Sequence, residues 1–322
     1  MTTILGSGAW RYEVVEGWGR LPEGWSFREV AAICVDDARD RVYIFSRGQH
    51  PMTVFNRAGD FLTSWGYELF KRPHGLSLCP DGSILCTDDG NHSVRRCTPE
   101  GKVLLEIGTP GQPKPYMSGE PFCRCTHTAL SPEGDIYVSD GYGNPRVHKF
   151  DPAGRLLFSW GESGCDPGQF NIPHNIATDA AGYVYVADRE NHRVQVFDGK
   201  GRYQTQWNNL HRPSALFMTR GACPHCYIGE TGPGFAINCK APNLGPRVAV
   251  CTMEGKVLAR LGAPTAGTRP DQFISPHGIA VDERGDIYVG EVSMSAWARY
   301  DLGPPPAEGL PCLKKLRKLP AE

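Results

Sequence analysis

No sign of charge dominates this chain: 34 lysines and arginines stand against 35 aspartates and glutamates, a formal net charge of −1 over 322 residues. That balance argues against the basic surface that nucleic acid or an anionic membrane needs, and it restricts anion binding to local clusters. Long apolar runs are missing too, none approaching the ~20 residues that cross a bilayer. The start, Met1-Thr2-Thr3-Ile4-Leu5-Gly6, lacks the basic-then-apolar order of a secretory signal. A soluble cytoplasmic protein is expected, with no nucleic-acid and no membrane partner. Gly-rich phosphate loops and a Ser-His-Asp motif are absent as well.

Turn residues are what the chain has in excess. Its 38 glycines and 27 prolines make up about one residue in five, which punctuates the chain into short elements and leaves little room for long helices. The 12 cysteines read as free thiols in a reducing compartment. At ~150 residues per domain the length suggests two domains, but an internal repeat replaces that estimate with one. Pro73-His74-Gly75-Leu76 runs to Asp81-Gly82, then Ile84-Leu85-Cys86-Thr87-Asp88, and closes on Arg95 to Gly101. The phrase returns at Ile136–Asp140, at Val184–Asp188 and at Ile287–Glu291, with a divergent first copy at Val42–Arg47.

Each copy holds several β-branched or aromatic runs separated by Gly, Pro, Asp or Asn turns, the pattern of a four-stranded antiparallel unit. Repeated every ~40–50 residues it predicts propeller blades. Aligned on the start of the inner strand, the copies place Ala31, Thr126, Ser214, His74, His174 and His277 at one position, so the fold is an all-β, six-bladed β-propeller. The propeller is expected over residues 1–303, with the aromatic segment Trp18 to Trp25 helping to close the ring. The fifth copy is interrupted by a loop from Gly221 to Gly245, and residues 304–322 read as a Pro-rich, basic tail. Its Lys314-Lys315-Leu316-Arg317-Lys318 cluster reads as solvated.

His74, His174 and His277 each follow a proline and each precede a turn glycine, Gly82, Gly182 or Gly285, by eight residues. Alternate blades would aim them at the channel axis from directions ~120° apart, as an open metal site requires. Neutral imidazoles suit Zn²⁺ and leave a position for water or substrate; Fe²⁺, Mn²⁺ and Co²⁺ accept the same ligands. A purely structural Pro-His pattern would be expected on consecutive blades, not alternate ones.

These residues resemble the peptidylglycine α-amidating lyase (peptidyl-α-hydroxyglycine α-amidating lyase) family, a six-bladed propeller of the NHL-repeat type. The similarity runs from about Ile33 to Tyr300. It is carried by Ile44-Phe45-Ser46-Arg47-Gly48-Gln49-His50, Pro73-His74-Gly75-Leu76-Ser77, Ser139-Asp140-Gly141-Tyr142-Gly143-Asn144-Pro145-Arg146, Pro173-His174-Asn175 with Ala187-Asp188-Arg189-Glu190-Asn191, and Pro276-His277-Gly278. The resemblance implies zinc on His74, His174 and His277, with Tyr142 as base and Arg47 and Arg189 as active-site arginines. It also implies substrate contacts from His50, Arg146 and Ser275. The implied reaction splits the C–N bond of a carbinolamide, giving a primary amide and glyoxylate. Arginine binds carboxylates bidentately and favours negative charge on a neighbouring tyrosine oxygen.

Three departures bear on this. The aspartate that follows the third histidine in the family and helps hold calcium is Gly278, which leaves the calcium positions Ile33 and Leu76 without a charged partner. A pocket methionine of the family is Ser275. The disulfide cysteine after the tyrosine is Gly143. A small α-hydroxy amide is therefore expected in place of a peptide. Two other classes compete with a metal-dependent lyase: a lactonase- or esterase-like propeller hydrolase using a metal-bound water, and a non-catalytic NHL-type interaction module. Cys223-Pro224-His225-Cys226, with Cys239, resembles half of a structural zinc site. Nothing in the chain indicates its oligomeric state.

Overall fold

Each repeat copy folds as one antiparallel sheet, four-stranded in five blades and five-stranded in the sixth, and the six sheets surround a common axis in the computed structural model, which describes residues 2–321. Met1 and Glu322 lie outside the described residues. The inner strands are Val30–Asp36, Pro73–Leu78, His127–Leu130, Pro173–Thr178, Pro213–Met218 and Pro276–Val281. Burial falls from the axis outwards. Second strands such as Ile84–Asp88 and Val184–Asp188 are buried at every residue because a neighbouring blade covers each face, and such strands read as continuous apolar runs. The outermost strand Leu156–Trp160 instead leaves Leu156 and Leu157 about half exposed. Gly82, Gly182 and Gly285 turn inner into second strand with φ of +84°, +86° and +84°, a region glycine enters without steric cost.

Blade six is built from both ends of the chain. Pro276–Val281 pairs with Ile287–Glu291, which pairs with Leu313–Lys318; that strand pairs in turn with Tyr12–Val15, and Ile4–Leu5 adds a fifth strand. The expected closure by N-terminal residues is observed. The expected tail over 304–322 is not, because residues 313–318 form the third strand of that blade. The lysines mask it: Lys314 and Lys315 are 7% and 8% exposed, with their ammonium groups over Phe273 and over Trp18 and Tyr288. Lys315 also pairs with Asp286 at 3.2 Å. Long basic side chains bury their stems and keep a partner for the charge, so a run of charges occupies a strand that apolar patterning misses.

The loop expected from Gly221 to Gly245 is corrected as well. Cys226–Glu230 is the second strand of blade five, and the insertion proper lies between it and Arg247–Cys251. Cys226 is buried against Cys251, its cross-strand neighbour, in the core between blades four and five. Cys223 is exposed, and the Cys239 thiol contacts the Arg299 carbonyl. The proposed zinc half-site is thus not assembled. No helix among the described residues is long and apolar enough to cross a membrane.

Candidate metal centre

In blades two to six the start of the inner strand is held by an acid at the end of the second strand. Asp88 accepts the Lys71 and Arg72 N–H groups at 2.6 and 2.9 Å, Asp140 accepts Cys123 N–H at 2.9 Å, and Asp188 accepts Asn171 N–H at 2.7 Å. Glu230 accepts His211 N–H, and Glu291 accepts Ile274 and Ser275 N–H at 2.6 and 2.9 Å. These carboxylates close the repeated phrase in the sequence and satisfy buried donors where the chain enters the channel. Immediately afterwards the strand pairing skips one residue, between Pro73 and Gly75, Pro173 and Asn175, and Pro276 and Gly278. A bulge of this kind re-aims the unpaired side chain, and the residues skipped are His74, His174 and His277.

The three imidazoles meet on the axis. Their ring centroids are 4.9, 4.7 and 4.7 Å apart, and one ligand nitrogen from each lies within 4.8 Å of the others. Each Nδ1–H donates to a carbonyl of the adjacent odd-numbered blade: His74 to Thr126 at 2.7 Å, His174 to Ser214 at 2.8 Å, His277 to Ala31 at 2.7 Å. The acceptors are the residues aligned with the histidines in the other half of the repeats. A carbonyl only accepts, so each Nδ1 carries its hydrogen and each Nε2 turns a lone pair to the axis. Burial first of all holds all three well below the usual histidine range. The neighbouring imidazoles add to this for His74, Arg189 for His174 and Arg47 for His277.

Tyr142 completes the cluster. Its Oη lies 3.0 Å from Nε2 of both His74 and His174, and 3.5 Å from Nη1 of Arg189. The Arg124 and Arg189 guanidinium carbons sit 4.7 and 5.6 Å from its ring centre. One phenol proton cannot serve two imidazole lone pairs, so the centre presents more acceptors than hydrogens. That donor set fits a divalent cation, three neutral imidazoles being a catalytic zinc ligand set.

A cavity of about 180 Å³ opens on this cluster, lined by His277, Tyr142, Arg47, Arg189, Ser275 and, beyond the sequence expectations, Arg72, Arg212 and Arg299. Arg72 and Arg212 directly precede the proline of an inner strand, a register signal that could have found them. Arg299 follows the short helix Ser293–Trp297 and has no counterpart in the repeat. Two expected substrate contacts are corrected. His50 stacks on Trp25 with ring centres 3.2 Å apart, and Arg146 bonds the Gly161 carbonyl at 2.5 Å; neither lines the cavity. Ile33 and Leu76 line a separate channel of about 680 Å³, with Gly278 on its wall. A Cβ at Gly278 would come within 2.6 Å of Ala32 Cα, so the wall has no room for a carboxylate there. The carboxylates that do line the channel, Asp37, Asp282 and Glu283, belong to strand-end turns. These residues do not make up a calcium site.

Fold and site together define a six-bladed β-propeller with a three-histidine axial centre able to hold a metal ion. The chain belongs to the NHL-repeat family. The NHL repeat model matches residues 170–197, and human NHL repeat-containing protein 3 is 30% identical over 316 residues, covering 90% of this chain and 84% of that protein. Peptidyl-alpha-hydroxyglycine alpha-amidating lyase 1 of Drosophila melanogaster is 32% identical over 252 residues, covering 71% of this chain and 44% of its own length. Among solved structures, virginiamycin B lyase from Staphylococcus aureus superposes with a TM-score of 0.56 at 16% identity, covering 83% of this chain and 79% of that one.

Proposed function

We propose that the protein is a metal-dependent carbon–nitrogen lyase that cleaves a small α-hydroxy amide into a primary amide and an oxo acid such as glyoxylate. The observation that carries this reading is the position of Tyr142 Oη, 3.0 Å from two Nε2 atoms and 3.5 Å from Arg189. The similarity to proteins named amidating lyases supports it. A divalent cation, zinc being the first choice, would be held by His74, His174 and His277 and would supply a Lewis acid for the substrate hydroxyl. With its own phenol proton lost to solvent, Tyr142 takes the hydroxyl proton as the phenolate. The electron pair of that O–H bond becomes the new C=O bond as the C–N bond breaks, and Tyr142 returns the proton to the departing amide nitrogen. Arg189, beside Tyr142, holds the substrate carboxylate next to the axis while Arg47 lines the facing wall, and the small cavity keeps bulk water away from the developing charge.

Incubating the zinc-loaded protein with α-hydroxyhippurate tests this: benzamide and glyoxylate are expected in equal amounts. Hydrolysis of esters or lactones with no release from the carbinolamide would overturn it. His174→Ala should purify without stoichiometric metal and without turnover, whereas a variant that keeps both would refute the site. A wild-type protein that takes up no metal would favour an interaction module.

A further inference from the structure

The charge in the cavity does not balance. Five arginines line it, Arg47, Arg72, Arg189, Arg212 and Arg299. They share three carboxylates: Glu29 on Arg47 at 2.8 Å, Asp89 on Arg72 at 2.5 Å, and Glu190 on both Arg189 and Arg212 at 2.7 Å. Asp89 also carries Arg124, so two positive charges at least are left over beside neutral histidines. Arg299 shows the consequence most clearly. Its Nη1 is buried without a hydrogen-bond partner, and burial, then the charge of Arg212, press the guanidinium below its usual range. Ser275 Oγ, on the same cavity wall, is likewise buried and unpartnered. Buried cations and hydroxyls without partners are costly and mark places where a ligand supplies them.

The surplus lies on two walls. Arg47 directly follows the second strand of blade one and bonds the Pro73 carbonyl, next to Arg72 at the start of blade two. Arg189 and Arg212 belong to blades four and five, on the other side of the ring, and share Glu190. Arg299 joins the second group through its repulsion by Arg212 and Arg189. A cavity of about 180 Å³ has room for several waters and is below the size of a drug-like or peptide site, so it suits a small ligand that offers an anionic group to each wall.

We infer that the substrate is a dianion, an α-hydroxy amide whose acyl part carries a second carboxylate, with one carboxylate on the Arg47–Arg72 wall and the other on the Arg189–Arg212–Arg299 wall. The α-hydroxy amide part rests on the lyase reading above; the two anion positions rest on the arginines alone.

Two measurements on the zinc-loaded full chain test this separately from the lyase reading. Calorimetric titration at fixed ionic strength compares succinate with butyrate, its monoanionic counterpart. Succinate should bind roughly ten-fold tighter or better, as a charged hydrogen-bonded pair predicts, and the preference should disappear in Arg72→Gln and in Arg299→Gln. Arg72 is partly exposed and Asp89 keeps its pair with Arg124, so Arg72→Gln should fold with a lowered but still cooperative thermal midpoint and decide the matter if Arg299→Gln does not fold. Turnover then compares N-succinyl-α-hydroxyglycine with N-butyryl-α-hydroxyglycine, expecting a kcat/KM advantage of similar size for the first. Equal affinities for succinate and butyrate would overturn the inference whether or not either amide is cleaved. A succinate preference with no cleavage of either amide would uphold the dianion site and overturn the lyase instead.

Discussion

Tyr142 has one proton and two imidazole nitrogens within 3.0 Å to receive it, and that arithmetic governs the chemistry of the site at the scale of single residues. Removing the hydroxyl while leaving the ligands untouched should separate metal binding from proton transfer. Tyr142→Phe is expected to keep a full complement of metal by elemental analysis and to lose ~10²–10⁴ in kcat, the usual contribution of a positioned acid–base group. Loss of metal along with rate would instead make Tyr142 part of the ligand set. Glu190 offers a readout that does not need turnover. Burial alone would raise its pKa, but the Arg212 hydrogen bonds and the Arg189 and Arg212 charges outweigh burial and bring it to about 2. In the unfolded chain a glutamate titrates near ~4.3. Between those two values the unfolded state binds a proton that the native state refuses, so stability falls as pH drops through this window and levels off below it. The contribution at neutral pH is at most about 3 kcal/mol. The gap in denaturation midpoint between wild type and Glu190→Gln should therefore narrow from pH 5 towards pH 2, and a gap independent of pH would show that the carboxylate is not held in this way.

At the scale of strands, what was legible in the sequence depended on whether the signal was a side chain in register or something else. The three histidines were visible because each stands eight residues before a turn glycine. Their Nδ1 partners were not, since Thr126, Ser214 and Ala31 contribute backbone carbonyls and any residue type offers one. Asp88, Asp140, Asp188 and Glu291 were visible as letters of the repeat, and Glu230 was hidden in the interrupted fifth copy; their role in fixing the strand entry emerges only with the hydrogen bonds. His50 and Arg146 share motifs with Arg47 and Tyr142 but do not line the cavity, so neighbourhood in sequence does not by itself bring a residue to it. The strand Leu313–Lys318 was hidden because it reads Leu-Lys-Lys-Leu-Arg-Lys, four basic residues around two leucines with no apolar alternation. Leu316 is fully buried in the blade-six core, and Leu316→Ala should cost about 2–5 kcal/mol by chemical denaturation, as for other core leucines. A solvated tail would respond to that change by less than about 0.5 kcal/mol.

At the scale of the whole molecule the ring is the unit that matters. Six in-phase copies specify it, and the N- and C-terminal segments meet in blade six, which also carries His277. The ligand set is therefore complete only when the chain ends have found each other. Metal removal should be felt as a loss of fold stability, on the order of 4 kcal/mol where free metal had stood 1,000-fold above its Kd. A thermal midpoint that drops on chelation, returns with zinc, and does neither in His174→Ala would establish the coupling; a midpoint indifferent to chelator in the wild type would dismiss it.

The alternation of histidine and carbonyl donor around the axis has one more consequence. His74, His174 and His277 stand roughly a hundred residues apart, and each leans on the next odd blade, so an ion on the axis ties all six repeats to one point. A repeat protein of this kind is free in principle to open between any two blades. An ion held by the three histidines would act as a clasp, making local fraying at one seam equivalent to losing the ion, so that the ring would open as a whole or not at all.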